Sequence, residues 1–101
     1  MIDQLRYEVG EVFVSTVKAF DTNRYETAVE HPEYNNGKLI VVEEYDNKAA
    51  AQVGQLKWIE IMTAEVLPEV LIDRSTCMIK VFGDFLEGDN ERHIHHRQVK
   101  E

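Results

Sequence analysis

The chain has little of what would make its chemistry obvious. Its 101 residues hold one cysteine, Cys77, so no internal disulfide can form, and a reducing compartment is expected. Only two prolines and one tryptophan are present. The longest uninterrupted apolar run is Leu39 to Val42, far short of the roughly 20 residues that span a bilayer. Met1 to Arg6 has no basic region followed by an apolar stretch, so no secretory signal is expected. No P-loop, G-x-G-x-x-G, H-E-x-x-H, G-x-S-x-G or ribonucleoprotein-type aromatic motif occurs. Ser15 and Ser75 have no elbow around them. Cys77 neighbours Met78 and Ile79 rather than a base, and reads as a small core residue. These gaps lead to the expectation of a non-enzymatic, cytoplasmic protein without cofactor, metal-dependent chemistry or membrane attachment.

Positive charge is also scarce. The net charge is −8, and residues 1–73 account for all of it, with 14 acids against 6 bases, while 74–101 carry 5 of each. Such a surface repels phosphate backbones, so direct nucleic-acid binding is not expected.

What is present reads as α+β. Glu11–Phe20 is crowded with β-formers, Tyr25–His31 alternates, and Lys38–Tyr45 is apolar on both faces. Together they predict a three-stranded antiparallel meander, with Lys38–Tyr45 as its central strand and Asn36-Gly37 as a hairpin signal. Leu5, Tyr7 and Val9 alternate ahead of the first strand, and Gly10 marks a bulge or turn between them. Asp46 or Asn47 caps one long helix reaching about Thr63. Ala50, Gly54, Trp58, Ile61 and Met62 share its apolar stripe. Gly54 implies a close approach of helix to strand, with Trp58 filling the space beside it against Val41 or Leu39. After Leu67-Pro68, Val70–Ile72 is a short buried link. A short C-terminal helix is predicted over 76–86, with a strand carrying Cys77, Ile79 and Val81 as the rival. One domain over 1–86 and a polar, flexible tail over 87–101 complete the expected organisation.

Three groups of residues invite a chemical reading. His93, His95 and His96 in the tail are the only candidate metal ligands with a pattern, H-x-H-H, although a structural zinc site wants four ligands. The competing reading is a solvated basic terminus with Arg92, Arg97 and Lys100. Glu43, Glu44 and Asp46, with Glu26 or Glu30 opposite, are acidic enough for a cation but fit a solvated strand end and a helix cap. His31-Pro32-Glu33-Tyr34 with Trp58 suggests either a cleft or aromatics closing a small core. The exposed edges of the meander point elsewhere, because an open edge pairs readily with another chain. A protein partner or a homo-oligomer is therefore expected.

The run Glu26-Thr27-Ala28-Val29-Glu30-His31-Pro32-Glu33-Tyr34-Asn35-Asn36-Gly37, then Ile40 to Asp46, Gly54 and Lys57-Trp58, resembles small proteins encoded in tailed phages and prophages of Gram-positive bacteria. Met62 to Glu65, Leu67-Pro68-Glu69 and Asp73 to Thr76 extend the similarity, which covers about residues 24–76. The resemblance implies a phage-type accessory or structural role through protein–protein contacts, and no catalytic residues. The alternative is a small metal-binding or regulatory protein using the histidine cluster. A weaker third reading is an acidic decoy for a DNA-binding protein.

Overall fold

The computed structural model describes residues 4–19, 24–74 and 94–98. Strands β1 (Gln4–Val9), β2 (Val12–Lys18), β3 (Tyr25–Glu30) and β4 (Ile40–Tyr45) form one antiparallel sheet in the order β1-β2-β3-β4. Helix α1 (Lys48–Thr63) covers one face. Beyond it, β5 (Val70–Ile72) pairs antiparallel with β6 (Ile94–His96). The α+β class is as expected, but the sheet has four strands rather than three.

The additional strand is β1. Gly10 takes φ +59° and begins a two-residue turn that closes on the pair Val9–Val12. Glycine in the first central position suits a II′ turn, whose twist matches that of the flanking strands. Of the bulge and the turn offered at Gly10, the structure has the turn, and the Leu5-Tyr7-Val9 alternation folds back on β2.

The β3–β4 connection is not the tight hairpin expected at Asn36-Gly37. Asn35, Asn36 and Gly37 adopt positive φ values of 50°, 54° and 80°, and form a short 3₁₀ turn. Asparagine and glycine tolerate this region best, which explains the triplet. The wider loop lets Tyr34 turn inward and become fully buried. Nor is β4 central: it is the last strand of the sheet. Its apolarity on both faces has another cause. Register shifts between Thr27 and Ala28, which pair with Glu43 and Val41, leave Val42 as the extra residue of a bulge, buried in the core.

Asn47 caps α1, its side chain accepting from the Ala50 amide at 2.8 Å. The buried helix face is Ala51, Gly54, Gln55 and Met62, with Trp58 and Ile59 half-buried beside it. The stripe is rotated from the expected one because Gln55, a polar residue, faces the sheet. Val14, Val29, Tyr34, Ile40, Val42, Met62, Leu67 and Leu71 make the core. Leu39, proposed to oppose Trp58, is instead half exposed.

The expected short helix over 76–86 lies outside the described residues. The expected flexible tail is corrected over 94–98. Ile94–His96 pair with Val70–Ile72, Arg97 donates its amide to the Glu69 carbonyl, and Gln98 donates to the Glu33 carbonyl. Residues 87–93 and 99–101 lie outside the described set. Among the described residues, no helix is long and apolar enough to cross a membrane.

Candidate functional site

A chain of polar side chains crosses the helix–sheet interface. Thr16 and Thr27 face each other on β2 and β3, with hydroxyls 2.5 Å apart. Thr16 donates to Gln55 Oε1 at 2.6 Å, and Gln55 Nε2 donates to the Val14 carbonyl at 2.9 Å. The amide orientation follows from chemistry, because only the NH₂ group can serve a carbonyl. Each hydroxyl has one proton. Thr16 spends its own on Gln55, so Thr27 donates to Thr16, and its 3.4 Å approach to the Tyr45 hydroxyl is a secondary contact. Thr16, Thr27 and Gln55 are all buried, and their mutual bonds offset the desolvation cost of placing them there.

At the outer end of this chain lies Glu43. Its Oε1 accepts from the Tyr45 hydroxyl at 2.9 Å, from Trp58 Nε1 at 2.8 Å, and from Lys57. Adjacent helix positions 57 and 58 are thereby tied to one carboxylate oxygen on β4, and the Lys57 ammonium lies 5.7 Å from the centre of the Trp58 ring. Desolvation pushes the Glu43 carboxyl upward, but the combined donors outweigh it and hold it below its ordinary value. A carboxylate held so low is a poor proton acceptor at neutral pH. Tyr45 is pushed up to about 12 by burial and by its bond to Glu43, so its hydroxyl keeps its proton and remains a donor. The constellation clamps α1 to β4.

Gly54 sits directly over Tyr45. A Cβ there would lie 2.0 Å from the Tyr45 hydroxyl and 2.1 Å from Cζ. The close approach expected of Gly54 is present, with Tyr45 rather than Trp58 as the side chain that fills the space.

The acidic group does not assemble. Glu43 faces the helix, while Glu44 sits opposite Glu26 on β3, on the other side of the sheet. Arg24 meets Glu44 at 3.7 Å and Asp46 at 3.0 Å. Of the proposed metal ligands, His93 lies outside the described residues. His95 and His96 are consecutive in β6 and so project to opposite faces. Among the described residues, no group of three or more His, Cys, Asp or Glu side chains is placed to hold a metal ion. Cys77 and Ser75 also lie outside the described residues.

The His31–Tyr34 segment is a corner of the core. Tyr34 donates to the Pro68 carbonyl, and the His31 ring meets the Tyr34 ring edge-on, centroids 5.4 Å apart. Arg97 Nε donates to Glu33 at 2.8 Å, and Gln98 Oε1 accepts from the Asn36 amide at 3.1 Å. Sequence reasoning missed Arg97 and Gln98 as members of this corner. It also missed the Thr16–Thr27–Gln55 chain, for which the alternation Val14-Thr16 and Thr27-Val29 was the available signal.

Burial lowers the His31 pKa, with Glu33 opposing and Arg97 adding to the shift. Nδ1 accepts from the Glu33 amide at 3.1 Å, so this nitrogen must be unprotonated. The unfolded chain therefore takes up this proton first, near the ordinary pKa of about 6.5, and stability is lost as pH falls through that value toward the lower native one. His31→Asn keeps an acceptor but does not titrate. Urea denaturation at about pH 7.5 and about pH 5.5 is expected to show a smaller acid-side loss for this variant than for the wild type. An identical loss would mean that His31 is not the group responsible.

Comparison with known proteins finds no family model, curated protein or solved structure that matches the chain.

Proposed function

We propose that the protein is a non-enzymatic accessory or structural protein of phage or prophage type that works through protein–protein contacts. The observation that carries this reading is the outer face of α1, where Val53 and Leu56, one turn apart, are each 69% exposed. Val66, just past the helix, is 84% exposed. Val53 and Leu56 form an adjacent exposed apolar pair on one helix face, and contiguous exposed apolar surface is what marks interaction sites. Among the described residues, the Thr16–Thr27–Gln55 chain and Glu43 are engaged in holding the helix to the sheet. Several residues of the pattern that carries the resemblance, Thr27, Glu43, Tyr45, Gly54, Lys57 and Trp58, meet at the α1–β4 clamp, where their role is to hold helix to sheet.

The test is co-purification from the native cells, followed by reconstitution from purified components. A stoichiometric complex is expected with the wild type and not with Leu56→Glu, whose melting temperature should be unchanged because the side chain is exposed. Absence of a stoichiometric complex, or one indifferent to Leu56→Glu, would remove the support this face gives.

A further inference from the structure

We infer that the outer edge of β1 pairs with the same edge of a second copy about a two-fold axis at Tyr7, joining two sheets into one. This surface is separate from the α1 face on which the proposed function rests, so either can fail alone.

The argument begins with which backbone groups are free. The two-residue turn closes on Val9–Val12, which makes that pair a hydrogen-bonded one. The alternate pairs Tyr7–Val14 and Leu5–Thr16 are then hydrogen-bonded too, so the amides and carbonyls of Gln4, Arg6 and Glu8 point away from β2. Among the described residues, β1 pairs with β2 alone. The strand has neither proline nor a bulge in its regular register with β2, and the edge protection it does carry is a pair of charges of opposite sign.

Its two charges are Arg6 and Glu8, both well exposed at 59% and 58%. In an antiparallel self-pairing, the outward-pointing residues must face one another, which restricts the possible registers. Centring on Arg6 places Arg6 against Arg6 of the second copy, and centring on Glu8 places Glu8 against Glu8. Centring on Tyr7 places Arg6 opposite Glu8 twice, each pair exchanging both its N–H···O bonds. The same register sets Val9, 59% exposed, opposite Leu5 of the second copy on the helix-bearing face. Among the registers centred on Arg6, Tyr7 and Glu8, charge and apolar cover thus favour the one centred on Tyr7. The Arg6–Glu8 contact within one strand, 3.5 Å and solvent-exposed, is a weak competitor.

The test is sedimentation of the full chain over about 1 µM to about 1 mM at about 0.15 M salt. The wild type is expected to form a dimer. Arg6→Glu sets like charges opposite each other at two places, as does Glu8→Arg, and each alone should weaken the dimer about tenfold or more. An equimolar mixture of the two variants restores opposite charges in the same register, and should dimerise as the wild type does. Hydrogen exchange supplies a second readout: the Arg6 and Glu8 amides should gain protection with concentration, while those of Tyr7 and Val9 are protected throughout. A wild type that stays monomeric over the whole range overturns the inference. So does a mixture that associates no better than its components. A dimer disrupted by Leu56→Glu but indifferent to both charge reversals assigns self-association to α1 instead, and also overturns it.

Discussion

Gly54→Ala is expected to destabilise the protein by about 2 kcal/mol, against the usual sign for this substitution in a helix. Alanine within a helix is ordinarily favoured over glycine by about 1 kcal/mol. Here the new methyl would lie 2.0 Å from the Tyr45 hydroxyl, 2.1 Å from Cζ and 2.7 Å from Cε1. The ring is buried, and its hydroxyl is held by Glu43. It cannot swing aside without losing that bond, so the helix must lift from the sheet. Overpacking costs about 1–3 kcal/mol, and an overlap this deep belongs at or beyond the upper end. Lifting α1 also stretches the bonds from Gln55 to Thr16 and Val14. A double-mutant cycle gives the check: in a Tyr45→Ala background, Gly54→Ala should become neutral or stabilising, because the obstruction is gone and the helix-propensity gain remains. If the two changes are simply additive, Tyr45 is not the reason for glycine at this position.

Gly54 also illustrates how far the sequence could be read. A glycine inside a strong helix-forming run implied a close approach, but it did not identify the approaching atom. That choice depends on the turn and bulge geometry that places Tyr45 below the helix, and a bulge leaves no periodic trace. Elements with strong local patterns were legible: the Tyr25–Glu30 alternation, the helix beginning after Asn47, and the apolar run of β4. The rank of β4 was not. A strand that is apolar on both faces is normally flanked on both sides, whereas here the bulged Val42 turns into the core from the last strand. The tail was misread because Ile94–His96 has only one apolar residue. Its strand character comes from pairing with Val70–Ile72 and from Arg97 and Gln98 docking onto Glu33 and Asn36, contacts across more than sixty positions of sequence for Glu33–Arg97. Local composition contains no information about such partners.

Tyr34, rather than Trp58, is the fully buried aromatic of the core. Trp58, the largest side chain on the expected stripe, is only half-buried, and its indole is anchored to Glu43. Tyr34, read from the sequence as lining a cleft or closing a small core, is fully buried among core residues. Truncating a large buried aromatic to alanine costs about 3–5 kcal/mol, through lost transfer energy and the cavity left behind. Tyr34→Ala is expected in that range, since it also orphans the Pro68 carbonyl and removes the edge contact to His31. A domain of this size has about 5–15 kcal/mol in all, so the variant should lose a large share of its stability and unfold at markedly lower denaturant. Tyr34→Phe separates the two contributions: it keeps the packing and loses only the hydroxyl bond, at a cost of about 1–2 kcal/mol. Trp58→Ala should fall below Tyr34→Ala, because Trp58 is only partly buried at the margin of the core whereas Tyr34 is fully buried within it. Chemical denaturation of the three variants alongside the wild type gives the order directly. A Trp58→Ala loss exceeding that of Tyr34→Ala would contradict the burial pattern and return the centre of the core to the helix–sheet seam, where the amphipathic stripe had placed it.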